Sequence, residues 1–157
     1  MLNKAILPYI AGFLDGDGCI MLQLIYRHDY VLGYQIRASI VFYQDQRYRH
    51  FLEWIKTELS YGSVRNRNDG MSEYAIVGLK SVREVIQKLL PYLKLKIPQA
   101  KLALKIIDRA LLKKRLTPTL LISLAREVDG FAHLNYSKKR TNTSRVVEEF
   151  LKSKNLL

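Results

Sequence analysis

A chain of 157 residues with 48% apolar content is long enough to bury a real core, which excludes a disordered tail. Its apolar runs are short and broken by charges, which excludes a membrane span, and its lone cysteine, Cys19, excludes an internal disulfide and a cysteine-based zinc cluster and makes a reducing compartment the default. Lys and Arg number 26 against 14 Asp and Glu, a net charge of +12 that points to a polyanionic partner, because neutralised phosphates release condensed counterions.

The N-terminal MLNKAILPYIAG lacks a basic leader, a long apolar stretch and a cleavage site, so it reads as a first helix and not as a signal peptide. Ile6, Tyr9, Ile10, Phe13 and Leu14 recur at helical spacing to about Asp15, where Gly16 and Gly18 stop the helix. Two strands follow, Cys19 to Arg27 and Tyr34 to Tyr43, with Gly33 in their connection. In the second, Ile36, Ala38, Ile40 and Phe42 alternate with Gln35, Arg37, Ser39, Val41 and Tyr43, which predicts one face on a core and one on something polar. Phe51, Leu52, Ile55 and Leu59 give the next helix its buried stripe.

The pattern then repeats. Tyr61 to Arg67 and Ser72 to Val77 read as strands joined by an Asn68-Asp69-Gly70 turn. Ser81 caps a helix carrying Val82, Val85, Ile86, Leu89 and Leu90, which ends near Pro91. Pro98 suits the first turn of a helix to about Lys114, and Thr117-Pro118 opens another to about Leu134. After a polar basic loop from Asn135 to Asn142, Thr143 or Ser144 caps a last helix. The order is α-ββ-α-ββ-α followed by three helices, an α+β chain read as one domain over residues 1–157.

The positive charge is uneven. Between Lys94 and Arg115 there are eight basic residues and one acid, Asp108; from Lys138 to Arg145 there are four basic residues and none. A solvated basic face is the bland alternative. Because the cations are spread over several elements and not along one amphipathic helix, nucleic acid is favoured over a membrane surface.

Around IAGFLDGDG, the residues Pro8, Ala11, Gly12 and Asp15 fall at i, i+3, i+4 and i+7 and share a helix face nearly bare of side chain. Such a stripe suits close approach of another backbone, either within the chain or from the same helix of a second copy. The helix ends in two carboxylates, an unfavourable placement against the negative end of the macrodipole. Exposed final carbonyls beside a carboxylate suit a hard divalent cation, although an Asp/Gly turn is the commoner meaning of DGDG alone. An EF-hand loop starting at Asp15 fails, with Cys19 and Tyr26 at ligand positions and no closing Glu. The scattered His28, His50 and His133 make no histidine–metal nuclease motif.

AGFLDGDG resembles the LAGLIDADG motif of homing endonucleases, and the αββαββα order matches the core of that family. FYQDQR, YGSVRNR, PYLKLKIPQAKLALKIID and LNYSKKRTNTS extend the resemblance over nearly the whole chain, most closely to the chloroplast-intron type with one motif per subunit. The resemblance implies a saddle-shaped antiparallel sheet with C-terminal helices added. It also implies a homodimer formed through the Pro8, Ala11, Gly12 and Asp15 face, and Mg²⁺-dependent double-strand cleavage at a long pseudo-palindromic DNA target. Asp17 and the Gly16 carbonyl would hold the metal, Mn²⁺ and Ca²⁺ being able to occupy the same sites. Gln44 would position the hydrolytic water and Lys96 would lie near the scissile phosphate. Where relatives often carry arginine one turn into the second helix, the aligned residue is Tyr48, flanked by Arg47 and Arg49, so either arginine is open as its replacement. An intron-encoded member would work in a chloroplast or another organelle.

Phosphodiester hydrolysis needs charge neutralisation, an activated water and a stabilised leaving oxygen, which suits these residue types. A two-stranded ribbon fits the DNA major groove, and alternation offers Gln23, Ile25, Arg27, Gln35, Arg37, Ser39, Val41, Tyr43, Ser63, Arg65, Arg67, Glu73, Ala75 and Val77 for base contact. Arg65 and Arg67 stand out as two arginines on one strand face with no local acid to satisfy them. Lys138, Lys139 and Arg140 suit phosphate contacts, which set position without reading sequence. The partners expected are double-stranded DNA and a second copy, with no membrane and no small-molecule substrate. A non-catalytic intron-RNA splicing cofactor or DNA-binding regulator on the same scaffold is the alternative; only an enzyme requires Asp17, Gln44 and Lys96 together.

Overall fold

A computed structural model describes residues 5–136 and 140–157. Helix α1 (Ile6–Asp17) runs directly into strand β1 (Gly18–Tyr26), which pairs antiparallel with β2 (Tyr34–Asp45). After a 3₁₀ turn at Gln46–Tyr48 come α2 (Arg49–Leu59), β3 (Ser63–Asn66), β4 (Met71–Val77) and α3 (Leu79–Leu89). A second 3₁₀ turn, Leu90–Tyr92, leads to α4 (Ile97–Leu111), α5 (Pro118–Val128), α6 (Phe131–Leu134) and α7 (Ser144–Ser153). The four strands form one antiparallel sheet in the order β1-β2-β4-β3.

The period-2 pattern decides which face is covered. Ile20, Leu22, Leu24, Ile36, Ala38, Ile40, Phe42, Tyr74 and Ile76 are buried and pack against Ile10 and Leu14 of α1, Leu52 and Ile55 of α2, and Val82, Val85 and Ile86 of α3. Each fully buried aliphatic side chain contributes about 1.5–3 kcal/mol. Phe13, Phe42 and Tyr74 form a continuous stack, with ring centroids 5.9 and 5.6 Å apart and planes within 13°. All the helical core therefore lies on one side of the sheet. The other side is left open.

Several boundaries differ from the sequence-based expectations. Helix α1 continues through Gly16 to Asp17, because Gly18 leaves it in extended conformation and caps the Leu14 carbonyl. Strand β3 is shorter than expected, because Gly62 turns at positive φ. Ser81 does not cap α3, which starts two residues earlier after Gly78, a residue held at φ 116° that makes no side-chain cap. Helix α4 stops at Leu111 and not near Lys114. The segment opened by Thr117 breaks at Asp129, whose carboxylate accepts the Ser144 backbone N–H at 3.1 Å, so four helices follow the αββαββα core and not three. Thr117 caps α5 and Thr143 caps α7.

Strand β1 is an edge, and unpaired edge carbonyls invite pairing with other chains. Here two of them are covered: Asn135 Nδ2 donates to the Ile20 carbonyl at 3.0 Å and Arg140 to the Leu22 carbonyl at 3.2 Å. Among the described residues no helix is long and apolar enough to cross a membrane.

Candidate functional site

The C-terminal turn of α1 gathers the chemistry. Asp17, its last residue, is exposed, as is Gly16, where an added Cβ would meet nothing within 4 Å. The Asp15 carboxylate turns inward instead, 9% exposed, and accepts the backbone N–H groups of Lys94 and Lys96 at 2.7 and 3.0 Å. Lys96 in turn donates from Nζ to the Asp15 carbonyl at 2.7 Å, which places its ammonium at the negative end of α1. Cys19 lies beside it: burial pushes the thiol pKa up, and the Lys96 charge pulls it partly back.

Register brings Gln44 to the same end of the molecule. Gly18 pairs with Phe42, so the chain leaves α1 two residues short of Gln44 on the neighbouring strand. Gln44 is half-buried in a recess with Tyr9, Phe13, Tyr48, His50 and Phe51, and its Oε1 accepts the Asp45 N–H at 2.9 Å. The amide nitrogen remains the end available to a water.

The two arginines flanking Tyr48 differ in their commitments. Arg49 ties α2 to β3, donating to Asn66 Oδ1 at 2.8 Å, to the Val64 carbonyl at 3.1 Å and to Glu53 at 3.2 Å. Arg47 is more exposed, pairs among the described residues with Asp45 alone, at 3.0 Å, and lies over the Tyr48 ring.

The open sheet face carries the residues that alternation assigned to it. In register, Gln23 faces Arg37, Met21 faces Ser39 and Ser39 faces Val77, while Tyr43, Glu73 and Arg65 form one row across three strands. Arg27 lies just past β1 at the hairpin tip, paired with Asp29 at 2.9 Å and within 3.3 Å of the Gln35 amide oxygen. Three expectations need correction. Arg65 and Arg67 do have local acids: Arg65 pairs with Glu73, and Arg67 with Asp69 at 2.9 Å and more distantly with Glu73 at 4.0 Å, over the Tyr43 ring. Ser39 and Val41 are only 4% and 7% exposed, the first between Met21 and Val77 and the second between Cys19 and Ala75 in register, so neither is an outward contact residue. Arg140 is spent on structure: it bonds the Val128 and Leu22 carbonyls, and burial lowers its pKa. Lys138 and Lys139 lie outside the described residues.

The face of α1 expected to be bare is half so. Pro8 and Gly12 are exposed, but Ala11 is completely buried and Asp15 points to the Lys94–Lys96 turn, so neither has surface left to offer a second helix. What flanks Pro8 and Gly12 instead is an aromatic ledge of Tyr9, Phe51 and Trp54, with edge-to-face contacts at 6.1 and 5.9 Å. Tyr9 is 58% exposed. The i, i+3 spacing of Phe51 and Trp54, which widens the apolar stripe of α2 with two rings left half-buried, is the sequence signal that would have found it.

A family model described as LAGLIDADG endonuclease matches residues 10–106. The chain belongs to this family. It is 44% identical to the DNA endonuclease I-CvuI of Chlorella vulgaris over 144 residues, covering 92% of this chain and 88% of that protein. Identity to the DNA endonuclease I-CreI of Chlamydomonas reinhardtii is 36% over 151 residues, with 96% and 91% covered. Its fold superposes on a crystal structure of the homing endonuclease I-CvuI in complex with its target in the presence of 2 mM Ca, with a TM-score of 0.91, 42% identity, and 96% and 95% of the two chains covered. The family match takes in α1 from Ile10 onward, the whole sheet and the turn carrying Lys96, and leaves out Arg140.

The donor set of this LAGLIDADG chain fits a hard cation. Its free carboxylate, Asp17, and the adjacent Gly16 carbonyl are oxygen donors, and among the described residues no three His, Cys, Asp or Glu side chains form a closed cage. An open set of few oxygens is what Mg²⁺ uses, because it keeps waters and takes the remainder from phosphates.

Proposed function

We propose that the chain is a site-specific DNA endonuclease that cuts both strands of a long, nearly palindromic target as a homodimer, with residues 1–157 acting as one domain. The observation that carries this reading is the gathering of opposite charges at one helix end: the exposed Asp17 carboxylate and, held on the Asp15 carbonyl, the Lys96 ammonium. A purely DNA-binding protein has no use for a carboxylate placed to repel phosphate.

Asp17 and the Gly16 carbonyl hold the divalent cation, which when bound polarises the phosphate and lowers the pKa of a water. Lys96 keeps two ammonium protons beyond the one given to Asp15, and directs them at the oxygens where negative charge builds up. Gln44 orients the water through its amide nitrogen, being too weak a base to take the proton. Arg47 is the arginine left free to neutralise phosphate, since Arg49 is engaged between α2 and β3. Gln23, Gln35, Arg37, Tyr43, Arg65 and Arg67 on the open face contact base edges, with Arg27 at the hairpin tip and Glu73 setting the arginines. Lys138 and Lys139 hold the backbone. Pro8, Gly12 and the Tyr9 ledge meet their copies across a two-fold axis, which brings two Asp17 sites together.

Both relatives come from algae, which supports an organellar intron as the setting. The test uses DNA spanning the joined exon ends around the reading frame. A double-strand cut with Mg²⁺ that EDTA abolishes is expected. Tight specific binding with the DNA left intact under both conditions would overturn the reading in favour of a splicing cofactor.

A further inference from the structure

We infer that Asp15 is a positioning residue for cleavage, which orients Lys96 by gripping both its main chain and its ammonium. This rests on the role proposed above for Lys96. An acid in the last turn of a helix ordinarily stays in solvent, because the carbonyls at that end repel it. Asp15 is instead 9% exposed and spends both carboxylate oxygens on one turn: Oδ2 accepts Lys94 N–H at 2.7 Å and Oδ1 accepts Lys96 N–H at 3.0 Å. Charge-assisted bonds of this kind are stronger than neutral ones, and two from one group fix orientation as well as distance. The turn they fix carries Lys96 at the N-cap of α4. The third contact closes a loop, since the Lys96 Nζ donates back to the carbonyl of the same Asp15 at 2.7 Å.

The consequence is kinetic as well as structural. A lysine side chain has four rotatable bonds, so a free Lys96 would sample many positions. Anchored at both ends by Asp15, it holds its remaining protons in place before phosphate arrives, which is how a fixed charge contributes to rate without reorganising. The same lock sets the separation between Lys96 and Asp17, two residues further along α1.

The test is a double-mutant cycle read by single-turnover cleavage of the target with Mg²⁺, with affinity measured separately in EDTA. Asp15→Asn keeps the volume but puts an N–H against one of the two donors. It should slow cleavage on the order of tenfold to a hundredfold, less than outright loss of a placed transition-state donor, while affinity stays within about twofold and the protein remains dimeric. In a Lys96→Ala background the same substitution should slow cleavage no further, because nothing is left to position. Lys94→Pro deletes one donor without touching Asp15. Leu93, at φ −70° and ψ 149°, already has the backbone that precedes proline. This variant should reproduce the slowing, whereas Lys94→Ala should not, and the pair decides the matter even where Asp15→Asn fails to fold. Equal slowing by Asp15→Asn in parent and Lys96→Ala proteins would overturn the inference and reduce Asp15 to a structural link. Parental cleavage by Lys96→Ala itself would take down both this inference and the role assigned to Lys96.

Discussion

The carboxylate of Glu73 faces Arg65 directly across the β3–β4 ladder, and the two form an ion pair on the open side of the sheet. Glu73 is well covered while Arg65 is largely exposed, so the acid is the fixed partner and the guanidinium the adjustable one. Because Arg65 bonds through Nε, its two terminal nitrogens remain free, in the fork geometry that matches guanine O6 and N7.

Glu73→Gln should therefore loosen Arg65 and, through the longer contact, Arg67. Non-specific DNA binding should tighten, since one negative charge leaves the face, while discrimination at a symmetric pair of target positions should fall. Arg65→Ala should abolish that discrimination outright, a loss of roughly 1–3 kcal/mol per contact. Competition binding against a panel of single-base target variants measures both. Uniform loss of affinity across the panel for Arg65→Ala would make this arginine a phosphate clamp.

Helix α1 supplies a test of assembly in which the monomer is its own control. A Cβ at Gly12 would meet nothing within 4 Å inside the subunit. Gly12→Leu should thus leave the subunit's own fold and its circular dichroism unchanged, yet break a close helix crossing. Light scattering should give about twice the 18.3 kDa chain mass for the parent and the single mass for the variant. A dimeric Gly12→Leu protein would remove α1 from the interface.

The αββαββα order was legible because each element buries one face, and burial writes a period of 2 or 3.6 into the sequence. The site was legible only where a residue's role does not depend on distant partners. Asp17 and Gly16 end a helix, and that much is local. Asp15 reads as a second free acid until the fold brings it to Lys94, 79 residues away. Arg65 and Arg67 read as unsatisfied until the turn at Asn68 to Gly70 fixes the register that sets Glu73 opposite Arg65. Arg140 reads as one more cation in a basic loop, and only the edge position of β1 explains why it is held by carbonyls. Ser81 failed for a different reason: a left-handed Gly78 begins the helix without any side-chain cap.

Arg140 should accordingly behave as a structural residue. Arg140→Ala removes bonds to two carbonyls, one of them on the β1 edge, at a cost of about 1–3 kcal/mol for groups left unsatisfied. The melting temperature should drop while the salt dependence of DNA binding is retained. Lys138→Ala should do the reverse, lowering the slope of log K against log salt by about one phosphate contact with little change in stability. A normal melt with a reduced slope for Arg140→Ala would restore it to the DNA interface.

The arginines beside Tyr48 should separate in the same way. Arg49→Ala breaks the link from α2 to β3 and should lower stability, with cleavage reduced only in step with the folded fraction. Arg47→Ala leaves the melt unchanged and should slow cleavage of bound target. The two rates, each measured below the onset of unfolding, decide the assignment; a slow Arg49→Ala enzyme with normal stability would reverse it.

The sharpest separation of enzyme from binder lies at Asp17. As an exposed carboxylate at the negative end of α1, it repels both the helix carbonyls and an incoming phosphate. Asp17→Asn preserves shape, removes that repulsion and weakens cation ligation. The variant should be as stable as the parent and bind the target as tightly, or more tightly in EDTA, where the parent has no cation to offset its charge. With Mg²⁺ it should leave the DNA intact, because the carboxylate proposed to hold the cation beside the phosphate is gone. Across a two-fold axis the effect doubles, since both strands depend on the same residue from each subunit. Cleavage by Asp17→Asn at the parental rate would sink the mechanism, and weaker binding in EDTA would show that the carboxylate contributes to recognition and not to chemistry.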